Sequence, residues 1–350
     1  MERNGMSRRG FFMAAAASSL CAGASAGAVE GPIARKPPEG FKTGPLGKVV
    51  GDLPPGRYDT HIHIKGGEPQ PDVLFASLKE AGLAGACVFS QAPYKLARAQ
   101  AEPRKPSDAM DDCIAWASAS PTIYPFYYIN PAAPDALELV DMAVEKGFYG
   151  FKVIHADGGP ICSEKTIPVY RRMAEHNKPV TFHTGILWDG CCSSEYFHPV
   201  NWEPLIDCPR LRFALCHISW PWCEECVAVY GKLLNCIVKN GWDSVPEMFI
   251  DTTPGTPLPY RREALRKLYT YGYDVFDRVM FGTDSFTHSY NVKWSRGVRA
   301  KDDSIYNELK LDERWRDSIY RTAFRRYMFG GGSRDIKIPT EDEMLRRADS

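Results

Sequence analysis

The chain has 350 residues, of which 44% are hydrophobic, 25% charged and 12% aromatic. That is ordinary globular composition and excludes a disordered, collagen-like or coiled-coil chain. Its 43 basic and 43 acidic residues cancel, so the global positive footprint of a nucleic-acid partner is absent.

Taken in chain order, the first feature is an export signal. Ser7-Arg8-Arg9-Gly10-Phe11-Phe12 is followed by an uncharged, Ala-rich run that ends near small-residue cleavage options at Ala24-Ser25-Ala26 and Ala26-Gly27-Ala28. The pattern resembles twin-arginine signals, which implies a mature protein exported folded, in the periplasm or otherwise outside the cytoplasmic membrane. An uncleaved anchor is the alternative, although the run is poor in Leu, Ile and Val. Residues 29–56 read as an irregular leader, 57–330 as the folded domain and 331–350 as a tail. No later apolar stretch reaches the roughly 18 residues of a span, so no stable membrane insertion is expected after signal removal.

Across the domain, short apolar runs alternate with amphipathic segments. Strands are predicted at 59–63, 87–89, 126–129, 151–154, 180–183, 213–217, 248–251 and 279–284. Helices are predicted at 71–81, 108–119, 134–146, 164–176, 223–238, 261–271 and 312–328. Alternation of this kind argues for repeated βα units and a parallel sheet. His183, His217, Asp251 and Asp284 follow one another at 34, 34 and 33 residues, about one βα unit each. They therefore fall at equivalent strand ends. The fold class predicted is α/β, a (β/α)8 TIM barrel of parallel strands with a C-terminal helix outside it, in which those ends share one mouth. A doubly wound open sheet is the alternative.

His61-Ile62-His63 places two imidazoles on the same side of the first strand, because side chains alternate faces. Neutral imidazoles suit a divalent ion, zinc above all. The histidines and aspartate at the later strand ends strengthen that reading.

Together, Asp59-Thr60-His61-Ile62-His63, Phe182-His183-Thr184-Gly185, Cys216-His217-Ile218-Ser219 and Phe281-Gly282-Thr283-Asp284-Ser285 resemble motifs of the amidohydrolase superfamily. The nearest branch is that of amidohydrolase-related metal-dependent hydrolases and decarboxylases. The resemblance implies one divalent ion, most simply Zn2+ with Mn2+ as an alternative, held by His61, His63, His183 and Asp284. It implies that His217 polarises the nucleophilic water or the substrate carbonyl, and that Asp284 shuttles a proton. Lys152 at the fourth strand end leaves a binuclear site open. In relatives with two metals a carboxylated lysine bridges the ions, and His183 and His217 hold the second. Otherwise Lys152 would bind a substrate carboxylate or pair with Asp251.

Trp188, Trp220 and Trp222 follow strands five and six and are candidates for a substrate wall, as is Asp251 for substrate contact. Arg261, Arg262 and Lys293 are candidate carboxylate partners. Cys191, Cys192, Cys223 and Cys226 read as free thiols, with a disulfide or a structural metal as alternatives. The function expected is hydrolysis of a C–N, ester or lactone bond in a small organic substrate, cyclic or carboxylated. The alternatives are a non-oxidative decarboxylase on the same site and an inactive exported binding protein. A homo-oligomer is a family-level expectation.

Overall fold

The computed structural model describes residues 53–93, 103–154, 160–188, 194–331 and 334–336. The signal, nearly all of the leader, most of the tail, His155, Cys191 and Cys192 lie outside the described residues.

The first half of the chain alternates strictly. It runs β1 (Tyr58–His63), α1 (Pro71–Glu80), β2 (Gly85–Phe89), α2 (Pro106–Ala117), β3 (Ile123–Tyr128), α3 (Ala136–Glu145), β4 (Gly150–Val153), α4 (Ile167–Glu175) and β5 (Val180–Phe182). Two 3-10 segments, Ser194–Phe197 and Pro199–Asp207, then lead to β6 (Arg212–Leu215). The remainder is α5 (Cys223–Asn240), β7 (Glu247–Asp251), α6 (Leu258–Thr270), β8 (Val279–Met280), β9 (Ser285–Phe286), α7 (Val292–Glu308), α8 (Glu313–Asp317) and α9 (Ala323–Phe329). Proline in the first turn starts α1, α2, α4 and α6, where its missing N–H is no loss. In α3 the buried stripe is Leu139, Val140, Ala143 and Val144, the helical spacing of one apolar face. Strands β2 and β3 are buried at every position, as parallel strands covered on both faces are.

All neighbouring strands are parallel, in the order β8-β7-β6-β5-β4-β3-β2-β1-β9. Strands β8 and β9 are two ends of one stretch, 279–286. The first end pairs with β7 and the second with β1. Between them the Thr60 amide donates to the Phe281 carbonyl at 3.0 Å, so the ring closes. The close approach requires Gly282, since a Cβ there would lie 2.2 Å from Thr253 Oγ1 and 2.8 Å from His61 Cβ. Asp59 reinforces the closure. Its buried carboxylate accepts from the Thr283 amide at 3.0 Å, the Thr283 hydroxyl at 2.6 Å, the Tyr290 hydroxyl at 3.0 Å and the His61 amide at 3.0 Å.

One core cluster lies between strands and helices. A second fills the barrel, where Tyr58, Phe89, Phe126 and Phe249 meet Phe324 and Tyr327 of α9. Tyr327 stacks on Phe126 at 6.3 Å and its hydroxyl meets Thr181 Oγ1 at 2.7 Å. The C-terminal helix thus lies outside the ring of strands while its side chains stopper the lower end, leaving the opposite mouth for chemistry. Among the described residues no helix is long and apolar enough to cross a membrane.

Three elements differ from the sequence reading. The eighth strand, expected over 279–284, is split into β8 and β9, with Asp284 in left-handed backbone between them. Strand six stops at Leu215 instead of running to His217, because His217, Ile218 and Ser219 take left-handed backbone at φ 62, 49 and 54°. Helix α7 had no sequence prediction. Its buried face includes Ser295 and Asp302, which weakens the apolar periodicity. Asp302 is tolerated there because Arg261 meets it from α6, with Nε at 2.5 Å and a terminal nitrogen at 2.7 Å, both side chains fully buried. Arg261 is therefore not a partner for a substrate carboxylate. Arg262 points outward onto Glu308 at 2.6 Å. Asp302→Ala would leave the Arg261 charge buried and unpaired, and the unfolding free energy should fall by about 3–5 kcal/mol in a urea titration. Most of that loss should return in the double variant Arg261→Met/Asp302→Leu.

Candidate metal centre

At the end of β1 the alternation turns His61 and His63 inward and Ile62 out to the helices, where it joins the outer core. His61 is 1% exposed. Its Nδ1–H donates to Asp251 Oδ2 at 2.8 Å, which leaves the Nε2 lone pair facing the mouth. From that atom His63 Nε2 lies 3.1 Å away and Asp284 Oδ1 3.7 Å, while His63 Nε2 and Asp284 Oδ1 are 3.3 Å apart. Two donors each about 2.0–2.1 Å from a tetrahedral ion stand roughly 3.3–3.4 Å apart. The spacing of the three atoms therefore fits a divalent ion. Asp284 reaches them from a left-handed residue, φ 57°, on the stretch that closes the ring.

His183, at the end of β5, is 7% exposed, and its Nε2 is buried with no protein partner. An unpaired buried imidazole nitrogen is costly and fits a donor awaiting a ligand. Its ring lies 5.0 Å from that of His217. His217 in turn donates Nδ1–H to the Thr253 carbonyl at 3.2 Å. A carbonyl only accepts, so the tautomer is set and His217 Nε2 carries a lone pair. The ring packs against Gly255, where a Cβ would come within 2.7 Å of His217 Cγ. His61, Cys216 and His217 form a second trio whose donor atoms lie close together.

Burial sets the charges here. Desolvation, with the charge of Lys152 second, pushes His61 down to about 3. His63, His183 and His217 are all lowered, chiefly by burial, so neutral imidazoles with usable lone pairs fill the mouth. Burial works to raise Asp284, but the histidines around it, His63 first, hold it well below the usual carboxylate range. Asp251, with burial opposed by the His61 hydrogen bond, sits at about 2. Asp59 is pushed up by burial to about 7 against its four donors.

The site residues named from sequence fall into three groups. His61, His63 and Asp284 converge as one trio, and His183 and His217 face each other beside it. Lys152 is fully buried, with Nζ 3.4 Å from His61 Nε2, 3.4 Å from Cys216 Sγ and 5.0 Å from the centroid of the Phe89 ring. No carboxylate meets it among the described residues. Asp251 does not pair with it, because its oxygens are taken by His61 and by Thr253. Asp251 is 1% exposed and sits beneath His61 rather than on the cavity wall. Cys223 and Cys226 are free thiols.

A cavity of about 540 Å³ opens above the trio, with His63, His183, His217 and Asp284 in its floor and Tyr128, Leu187, Trp188, Phe286 and Trp294 in its walls. Trp188 is 75% exposed and stacks on Trp220 at 6.5 Å, which stacks on Tyr260 at 6.4 Å. Trp222 is turned away, 3.6 Å from the His198 ring. Asp59, Cys216, Thr253 and Tyr290 carry structural duties that no spacing argument assigned.

Residues 58–327 match the amidohydrolase family. No curated protein matches the chain. Among solved structures, the fold is similar to that of a probable 2-pyrone-4,6-dicarboxylic acid hydrolase of Acinetobacter baumannii, at a TM-score of 0.50 and 13% identity over 79% of this chain and 99% of that one. A second candidate for that activity, from Pseudomonas putida, gives 0.52 and 15% over 79% and 98%. Dihydroorotase from Campylobacter jejuni gives 0.51 and 13% over 80% and 85%. At such identities the likeness establishes the fold alone.

His61→Ala and Asp284→Ala should each lower the divalent metal content of the purified protein at least about tenfold by plasma mass spectrometry, with circular dichroism unchanged. Wild-type metal content in either variant would remove these side chains from the centre.

Proposed function

The chain belongs to the amidohydrolase family, and from that membership together with the buried donor trio we propose that it is a metal-dependent hydrolase of C–N, ester or lactone bonds in a small organic substrate. The observation that carries this reading is the His61–His63–Asp284 spacing, with His63 and Asp284 in the floor of a largely apolar cavity and His61 buried beside them. His61, His63, His183 and Asp284 would hold the ion, and imidazole with carboxylate donors favour Zn2+ over Mn2+. A divalent ion held there supplies Lewis acidity and brings the pKa of a water down from 15.7 towards about 7.

The side chains divide the remaining work. The Asp284 side chain, 38% exposed to the cavity, is placed to take the proton of the attacking water and pass it to the leaving group. His217 Nε2 offers a lone pair, because Nδ1 holds the proton against Thr253. It therefore orients the water by accepting from it. A donor that polarises the substrate carbonyl would need the charged ring, which burial disfavours. Asp251 positions His61 through Nδ1. The apolar walls thin the water around these groups and strengthen each interaction. The same proposal places the mature enzyme outside the cytoplasmic membrane, on the strength of Arg8 and Arg9 in the N-terminal signal.

One observation favours a second reading of the metal number. A buried ammonium that meets no carboxylate among the described residues, beside a cation site, is costly. Loss of a proton from the Lys152 ammonium, then addition of carbon dioxide to the amine with release of a second proton, would replace that charge by a carbamate able to hold a second ion with His183 and His217.

Chelation should abolish turnover on a panel of amides, esters and lactones, and added Zn2+ or Mn2+ should restore it. Asp284→Ala should lower kcat/KM about 10³-fold. Full activity in metal-stripped protein would end the proposal, and release of carbon dioxide from a carboxylated substrate would make the enzyme a lyase. One ion per chain and an unmodified intact mass fit the single-ion site. Two ions and an added carbon dioxide on Lys152 fit the second reading.

A further inference from the structure

The charges around the cavity are few and set apart from one another. His63, His183, His217 and Asp284 make the floor polar at one point, and most of the wall is apolar. Among the described lining residues Lys65 is the one Lys or Arg. It follows His63 by two residues, so its Cα lies no more than roughly 7 Å from that of the floor histidine. The chain between them stays on the strand ladder, because the Ile64 amide donates to the Phe89 carbonyl at 3.0 Å. Lys65 Nζ sits 3.8 Å above the centroid of the Phe286 ring, itself a wall residue. That contact aims the ammonium along the cavity rim at small cost. No carboxylate of the described residues pairs with it, whereas Arg261 and Arg262 are engaged by Asp302 and Glu308, and Lys152 is sealed beneath the floor.

We propose that Lys65 is a specificity-determining residue that binds a carboxylate of the substrate, and that the substrate is a monocarboxylate on an apolar, cyclic or aromatic body. The anion sits apart from the bond that is cut, since Lys65 lies at the rim and the donor trio at the floor. A phosphoryl group fits less well. It carries more charge and is usually held by several donors, and one Lys or Arg is on offer among the described lining residues. The body packs on Leu187, Trp188, Phe286 and Trp294, whose rings and branches contribute burial without fixing orientation. The carboxylate anchor supplies that orientation and turns a non-directional cavity into one with a defined approach to the floor. This deepens the hydrolase reading and rests on it only in taking the cavity as the substrate site.

The test is calorimetric binding of 1-naphthoate and 1-naphthamide to wild type, Lys65→Met and Lys65→Arg, each metal-loaded and metal-stripped. Wild type should bind the acid more tightly than the amide. Lys65→Met should weaken the acid at least about fivefold and leave the amide unchanged, and Lys65→Arg should restore the acid. The Lys65 dependence should persist in stripped protein, which separates it from capture of the acid by the ion. An unchanged acid affinity in Lys65→Met overturns the proposal. So does an equal loss of acid and amide, a dependence that vanishes with the metal, or a wild type that does not distinguish the two probes. Because no turnover is read, loss of the hydrolase reading through metal-independent activity would leave this result standing on its own.

Discussion

The closure of residues 279–286 onto β1 is the constraint from which the rest follows. Without it Asp284 and the His61/His63 pair would lie at opposite edges of an open sheet. With it they fall within 3.7 Å of one another. The closure is held by groups with no chemical duty of their own. Asp59 gathers donors from Thr283, Tyr290 and the His61 backbone, and Gly282 lets the strands approach without a side chain between them. The four hydrogen bonds to Asp59 also explain how a carboxylate is tolerated in a place where burial pushes its pKa to about 7.

Within the mouth, two of the four imidazoles are specified at one nitrogen so that the other is available. Asp251 does this for His61 and the Thr253 carbonyl does it for His217. Burial keeps the rings neutral, so lone pairs rather than protons face the cavity. The cost of this arrangement is visible in the backbone. Three consecutive left-handed residues, one of them the β-branched Ile218, aim His217 across the barrel, and such positions cost of order 1–3 kcal/mol each. A smooth strand running through 216–219 would carry His217 elsewhere. Strain held by the surrounding packing thus accompanies the placement of a functional ring, and the stoppered lower end of the barrel gives that packing a firm base.

Much of this was legible in the amino-acid sequence. Eight apolar runs separated by helical patterns, with polar residues recurring at one-unit spacing, are enough to predict a parallel barrel, because both signals are local and repeat. Helix α7 was not legible, since its buried face carries Asp302, and only the distant Arg261 makes that face compatible with burial. The end of strand six was not legible either. Cys216-His217 reads as strand by composition, and the left-handed turn is accompanied by contacts with Thr253 and Gly255 just past the end of β7.

The sequence by itself determined the periodicity, the family motifs and which residue types stand at the strand ends, because these depend on side-chain alternation and unit length. Only the tertiary structure decided which of those residues meet, which nitrogen of each imidazole is free, and which cation is left to greet a ligand. Arg261 and Lys65 look alike in a sequence. One is buried against Asp302 and the other stands at the cavity rim over Phe286. The difference arises because hydrogen-bond partners and burial are properties of chain segments brought together by ring closure, across separations that no local pattern records.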